Sequence, residues 1–204
     1  MFEALLSLVV ATALLLGSPG PATLALAGVG AAFGFKAGLP FLAGILTGLC
    51  VVITATTLGL ASLFETWPTL RITVQLLGGC YILYIAFKVA TAPLSSDHDV
   101  ENGPLNFGDG FILNLLNPKA YAAFLALFSQ FLLPIPTPYL AYMFSAIVCF
   151  LVALIVDAIW LLLGGLIRPW FQQPQLGRLI RLIFATSMVL AVFWALLQSS
   201  HFIS

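Results

Sequence analysis

The sequence predicts an all-α integral membrane protein whose six transmembrane helices form two inverted three-helix repeats, with helices 1 and 4 broken. Composition is the first observation: 62% of the 204 residues are hydrophobic and 7% are charged, whereas a soluble domain has about 25% charged residues. The second is that the apolar residues fall into six runs, each close to the ~20 residues that a membrane-spanning helix needs. The third is that proline interrupts the first run of each half.

The first predicted span covers residues 2–30 and is broken at residues 17–21, which read Gly-Ser-Pro-Gly-Pro. Ser18 is a suitable N-cap for a helix that restarts there, and Pro19 suits its first turn. The alternative is a proline kink without a functional role, which is common in membrane helices. Because the apolar run starts at the second residue and carries Glu3 instead of basic residues, we expect a span and not a cleaved signal peptide.

Spans 2 and 3 are predicted at residues 39–63 and 72–87. Gly44 and Gly48 give span 2 a small-residue face, which permits close contact with a neighbouring helix. The polar connection that follows, residues 91–108, carries three acids beside His98. A metal site is one interpretation of that cluster, but a solvated loop is the more common one.

The second half of the chain repeats the pattern of the first. Its first span is broken at Asn117-Pro118, where asparagine is a good N-cap and proline suits the first helical position. Two interrupted spans at corresponding positions of two halves indicate the central binding site of a transporter. The three spans of this half are predicted at residues 109–133, 139–167 and 181–198.

The basic residues predict the orientation. The side of the membrane reached by the connections after spans 1, 3 and 5 has five basic residues and the other side has only Arg71, so both termini are expected outside. Residues 1–96 and 97–204 each contain three spans, and an odd number makes the second repeat upside down relative to the first. The five cytoplasmic basic residues are Lys36, Lys88, Arg168, Arg178 and Arg181.

Lys119 lies about 15 Å into its span at the helical rise, near the centre of a ~30 Å hydrocarbon layer. A charge there costs at least a few kcal/mol and needs a partner. Asp157, the only acid within the interior of a span, is expected at the same depth. The pair is either a static buried ion pair or a switchable one, in which a substrate carboxylate competes for Lys119 and Asp157 takes an ammonium group or a proton. A carboxyl group in an apolar site holds its proton more tightly than in water, which suits a proton carrier.

We therefore expect both breaks to face one substrate site at mid-membrane, with Asp157 coupling transport to protons. Gln75, Tyr81 and Tyr84 in span 3 are candidates for the pathway, with plain helix packing as their alternative role. The predicted substrate-binding residues are Ser18, Pro19, Gly20, Pro21, Asn114, Asn117, Pro118 and Lys119.

In their order along the chain, these motifs resemble the LysE/RhtB amino-acid exporters, small six-span proteins of the bacterial inner membrane. The resemblance implies export of amino acids or related small zwitterionic or carboxylate metabolites by proton antiport, without enzymatic activity or cofactor. It rests on Ser18-Pro19-Gly20-Pro21, Gly79-Cys80-Tyr81-Ile82-Leu83-Tyr84, Gly110-Phe111, Asn114-Leu115-Leu116-Asn117-Pro118-Lys119 and Asp157-Ala158-Ile159-Trp160.

Other functions are less compatible with the sequence. A carrier of metal cations or inorganic ions should have several acids or His and Met ligands within its spans, and a thiol-disulfide enzyme should have paired cysteines. Cys50, Cys80 and Cys149 are isolated, and no basic cluster points to nucleic acid. A non-catalytic subunit of a larger complex would leave the central lysine without a reason. The transported metabolite and homo-oligomerisation stay open.

Overall fold

The described part of the chain contains eight helices and no strands, which confirms the all-α prediction. The computed structural model describes residues 1–59, 67–91, 105–171 and 173–200, and at some helical positions it describes the backbone alone. The helices are α1 (Phe2–Gly17), α2 (Pro21–Phe33), α3 (Phe35–Thr57), α4 (Pro68–Ala90), α5 (Phe107–Leu115), α6 (Pro118–Gln130), α7 (Pro138–Phe171) and α8 (Pro174–Ser200).

Both predicted breaks are present. The first span consists of α1 and α2, which are bent by 66° relative to each other, and the fourth consists of α5 and α6, bent by 58°. At the second break Asn117 is the N-cap and Pro118 the first residue of α6, as the sequence predicts. The Asn117 side chain accepts a hydrogen bond from the Lys119 N–H at 3.1 Å, which satisfies one of the free donors of the new helix.

The first break differs from the prediction in its capping residue. Ser18 does not cap α2: its hydroxyl donates to the Leu15 carbonyl oxygen at 3.0 Å, so it ends α1 instead. The helix restarts later, with Gly20 as N-cap and Pro21, not Pro19, at the first position. Thr23 accounts for the shift, because its hydroxyl oxygen accepts a hydrogen bond from the Gly20 N–H at 2.9 Å.

When the helices are judged by their length and composition alone, fewer of them qualify as membrane spans than the six that the sequence predicts. Within the described residues, Phe35–Thr57 and Pro138–Pro169 are long and apolar enough to cross a membrane, and each bent pair counted as one span raises the total to four. A total of six also requires α4 and α8, so the six-span inverted repeat stays a prediction.

Two helices begin before the predicted spans, because prolines start them earlier than the apolar runs suggest. Helix α4 begins at Pro68 instead of residue 72, and α8 begins at Pro174 instead of residue 181. A single residue, Gly34, separates α2 from α3, and its φ of 90° favours glycine. The end predicted for span 2, residues 60–63, lies outside the described residues.

Glycines bring two pairs of helices into backbone contact. Where α3 crosses α5, a Cβ at Gly44 would collide with the Phe107 carbonyl oxygen. Where α2 crosses α7, a Cβ at Gly164 would collide with the Ala27 carbonyl oxygen. In the predicted orientation both crossings lie on the cytoplasmic side of the breaks, because Gly34 and Lys36 mark the cytoplasmic ends of α2 and α3.

The buried apolar side chains form two main clusters, and the division between them falls at the level of the breaks. The first cluster takes residues from α2, from the start of α3 and from α5, including Leu26, Phe41 and Leu113. The second takes residues from α1, from later turns of α3 and from α6, including Leu8 and Phe124. The breaks therefore lie between two apolar clusters, and Phe150 of α7 packs against both.

Candidate functional site

A cavity with about 380 Å³ of empty space lies where the two breaks meet. This volume includes space that is open to solvent. Part of its wall is apolar, and the rest is polar backbone and side chains from α2, α5, α6 and α7. The polar part consists of Gly20, Thr23, Asn114, Asn117, Lys119 and Asp157.

Lys119 joins the two breaks directly. It is the second residue of α6 and half-buried, and its Nζ donates a hydrogen bond of 2.5 Å to the Ser18 carbonyl oxygen in the other broken span. Gly20 leaves room for the ammonium group, because a Cβ there would lie 2.9 Å from Nζ. The lysine therefore brings a full positive charge to the cavity while it satisfies a carbonyl group that the end of α1 leaves free.

Asp157 brings a carboxyl group to the same cavity. Asp157 is 7% exposed, and no other described residue forms a hydrogen bond or ion pair with its carboxyl group. It lies close enough to Lys119 for the two charges to attract each other. Burial of a carboxylate costs several kcal/mol unless hydrogen bonds or a counter-charge compensate it, so the group is ready to accept a proton or a cation.

The N-terminal ends of two half-helices also face the cavity. Ala22 and Thr23 of the first turn of α2 line it, as do Lys119 and Ala120 of the first turn of α6. The first turn of a helix presents free N–H groups and the positive end of the helix dipole. The cavity is therefore favourable for an anionic group beside Lys119.

Long side chains from elsewhere hold the opposite, carbonyl-bearing ends of the breaks. The Trp160 Nε1 of α7 donates to the Gly17 carbonyl oxygen at 3.1 Å. The Tyr121 hydroxyl of α6 donates to the Leu115 carbonyl oxygen at 2.9 Å. Carbonyl groups that a continuous helix would satisfy internally thus have partners, which lets the chain leave helical geometry within an apolar environment.

Four of the eight predicted substrate-binding residues meet at the cavity, together with the predicted proton-coupling residue Asp157. Gly20, Asn114, Asn117, Lys119 and Asp157 line it. Asn114 is 3% exposed and fixed in place, because its Nδ2 donates to the Ile45 carbonyl oxygen of α3 at 3.1 Å.

The remaining predicted residues have other positions. Ser18 contributes its carbonyl oxygen through Lys119, and Pro19, Pro21 and Pro118 shape the breaks without lining the cavity.

The pathway candidates in α4 lie elsewhere. The Tyr81 hydroxyl donates to the carbonyl oxygen of Asp109 at 3.2 Å. The centroid of the Tyr81 ring lies 5.7 Å from that of Tyr84, whose side chain is exposed. Neither tyrosine is among the cavity-lining residues. The side chain of Gln75 and the loop acids with His98 lie outside the described residues. Within the described residues, no group of three His, Cys, Asp or Glu side chains could hold a metal ion.

Sequence reasoning missed two kinds of functional residue. Thr23 had a usable signal in the sequence. Its hydroxyl lies three residues after Gly20, and Pro21 can start a helix between them, which is the spacing of a capping box. The apolar part of the wall had none, because small and branched residues at helical spacing are indistinguishable from core. That apolar part consists of Leu16, Ala22, Leu49, Ala120 and Ala153.

Comparisons with known proteins agree with the motifs. A family model described as LysE type translocator matches residues 13–198. A leucine efflux protein of Klebsiella pneumoniae is 29% identical over 177 residues, covering 81% of this chain and 84% of that protein. A cysteine/O-acetylserine efflux protein of Salmonella paratyphi A is 30% identical over 174 residues, covering 84% and 87%.

A third relative is an uncharacterised membrane protein of Pseudomonas aeruginosa, 28% identical over 170 residues that cover 77% of each chain. No solved structure matches the chain. The family model covers most of the chain, including both breaks, Lys119 and Asp157. The family resemblance predicted from the motifs is therefore confirmed, and the chain belongs to the LysE family of membrane translocators.

Proposed function

We propose that this protein exports amino acids, or related small metabolites that carry a carboxylate, from the cytoplasm. The observation that carries the proposal is a cavity between two broken helices that holds one lysine and one buried carboxyl group, to which no other described residue forms a hydrogen bond or ion pair. Relatives of this chain are named as efflux proteins for leucine and for cysteine/O-acetylserine, which supports the same substrate class.

The charges of the cavity match those of a zwitterion. The substrate carboxylate binds Lys119 and the first turns of α2 and α6, where positive charge and helix dipoles coincide. The substrate ammonium group binds Asp157, which then gains the partner that it lacks in the described structure. Both ends of the zwitterion exchange their water for protein charges, which offsets the free-energy cost of burying a doubly charged molecule.

Proton antiport follows from competition at Asp157. The carboxylate binds either the substrate ammonium group or a proton, and each displaces the other. A protonated Asp157 on the return step keeps the empty cavity free of an unpaired negative charge, which the apolar environment penalises. Release of the proton to the cytoplasm and loading of substrate then alternate, so that export is driven by proton entry.

The architecture proposed for this mechanism has six spans, with residues 1–96 and 97–204 as inverted repeats in the bacterial inner membrane and both termini in the periplasm. The two glycine crossings lie on the cytoplasmic side of the cavity in this orientation. Substrate loading therefore requires α2 to separate from α7, and α3 from α5, while export requires the opposite side to open.

The test measures efflux of labelled substrate by the purified protein in proteoliposomes in which the orientation of the protein has been determined. Vesicles preloaded with labelled leucine, alanine or cysteine should release label faster when the outside is more acidic than the lumen, because protons then enter as the substrate leaves. Lys119→Ala and Pro118→Ala should abolish release while the protein stays folded, whereas Lys36→Ala, at an exposed lysine outside the cavity, should not. Release at the wild-type rate from the Lys119 variant would refute the assigned site.

A further inference from the structure

The cavity has an apolar wall that the charged ends of a zwitterion do not use. Four of its residues, Leu16, Leu49, Ala120 and Ala153, belong to the second core cluster. The α-carboxylate and ammonium group of an amino acid occupy the polar part, so the side chain of the substrate must point at what remains. This inference rests on the proposed function.

The apolar wall begins close to both charged groups. Ala120 directly follows Lys119, and Ala153 lies four residues before Asp157 on the same face of α7. One helical turn is about 5.4 Å, so the wall is about one turn away from the carboxyl group that receives the substrate ammonium. A side chain of a few carbon atoms spans that distance, whereas a longer one meets the wall.

The wall has little freedom to retreat. Leu49 and Ala120 are 3% exposed and Ala153 is 2% exposed. They share their cluster with Phe124 and Cys149, which are fully buried. Because such interiors are close-packed, an enlarged substrate cannot push these residues aside without strain.

The wall also has no group that could pair with a charged side chain. Among the described residues that line the cavity, Asp157 is the only acid and Lys119 the only base, and the α-ammonium and α-carboxylate groups of the substrate use both. A second ammonium or carboxylate group on the substrate would therefore face this wall without a charged partner, which disfavours its binding.

We propose that Leu49, Ala120 and Ala153 form the side-chain pocket of the transport site, and that they restrict the cargo to amino acids with short, uncharged side chains. Leu49 fills space that a larger side chain would need. Ala153 is small and leaves space in the pocket. A larger residue at this position would fill that space.

The experiment measures substrate preference, not overall activity. Proteoliposomes receive equal amounts of labelled alanine, leucine, phenylalanine and lysine, and the ratio of leucine to alanine efflux is compared between variants. Ala153→Leu should lower that ratio roughly tenfold, and Leu49→Ala should raise the phenylalanine to leucine ratio roughly tenfold, since about one methylene in an apolar pocket discriminates by ten-fold or more. Lysine should leave at the protein-free rate in every case.

Matched controls place the same substitutions outside the cavity. Ala122→Leu on α6 and Leu39→Ala on α3 are at exposed positions and should leave both ratios unchanged. If Ala153→Leu does not fold, the wild-type protein still decides: its melting temperature should rise with added alanine or leucine and stay constant with arginine or tryptophan.

The outcomes separate this proposal from the broader one. Unchanged ratios in folded Leu49→Ala and Ala153→Leu proteins, or lysine efflux as fast as that of leucine, would overturn the side-chain pocket while amino-acid export stands. A wild-type protein that moves none of the amino acids would overturn the proposed function itself.

Discussion

Neutralising both central charges at once distinguishes a structural ion pair from a transport site. In the Lys119→Met, Asp157→Asn double variant, side chains of similar length replace the two charged groups. If the charges serve only to neutralise each other, this variant should be as stable as the wild type and fully active, because a neutral pair of similar size replaces a buried ion pair at little cost. If the cavity binds a zwitterion, the variant should fold and transport nothing.

The structure gives the size of the stability effects. Lys119→Met alone removes a charge-assisted hydrogen bond to the Ser18 carbonyl oxygen, worth about 1.5–3 kcal/mol, and leaves Asp157 without a counter-charge. Loss of one partner of a fully paired buried couple costs about 3–5 kcal/mol. Because no ion pair within the described residues joins these two side chains, we expect the lower end of that range.

Two measurements on the same preparations decide the matter. Thermal unfolding in detergent should place the double variant between the wild type and Lys119→Met. Efflux of preloaded leucine from proteoliposomes should be at background in the double variant and in both single variants. Glu3→Gln with Lys36→Met, which neutralises two exposed charges, is the matched control and should retain export. Wild-type export by the neutral double variant would refute the reasoning.

The remaining predictions concern the breaks, the crossings and the topology. Thr23→Val should lower stability by about 1–2 kcal/mol in thermal unfolding and reduce efflux, while Thr23→Ser restores both, because the hydroxyl caps α2 through the Gly20 N–H. Gly110→Ala should cost about 1–3 kcal/mol, since its Cβ would collide with the Phe41 carbonyl oxygen, whereas Gly165→Ala, whose Cβ would meet its nearest neighbour at an ordinary contact distance of 3.4 Å, should cost less than 1 kcal/mol. In a cysteine-free background, a cysteine replacing Glu3 should react with a membrane-impermeant maleimide in whole cells, and the equal reaction of one replacing Lys36 would contradict the predicted orientation.

The second break was predictable to the residue and the first was not, and the difference lies in local chemistry. Asn117-Pro118 offers one N-cap followed by one proline, so a single helix start satisfies both preferences. The first break offers Pro19 and Pro21, and Ser18 precedes the wrong one. Only the hydroxyl of Thr23, which reaches back to Gly20, decides between them, and that contact depends on the backbone geometry.

The apolar wall of the cavity could not be predicted for a different reason. Leu49 and Ala153 lie on α3 and α7, and their positions opposite the breaks depend on where those helices cross α5 and α2. The crossings are set by backbone contacts at glycines, which the sequence shows as small-residue positions without saying which partner each will meet. Charged residues in apolar runs identify themselves, whereas apolar residues that line a site do not.

In the proposed mechanism, Lys119 connects substrate binding with the shape of the broken helix. In the described structure its ammonium group bonds to the Ser18 carbonyl oxygen rather than forming an ion pair with Asp157, although both side chains line one cavity. A protein that merely had to bury two opposite charges would gain most by pairing them directly. The lysine instead stabilises the bend between α1 and α2, so a substrate carboxylate that binds it takes a hydrogen bond away from that bend. Binding can shift a conformational equilibrium only through such differential contacts. In the proposed mechanism, the lysine at the second break therefore lets the first break respond to the substrate, because the substrate carboxylate and the Ser18 carbonyl oxygen compete for the same ammonium group.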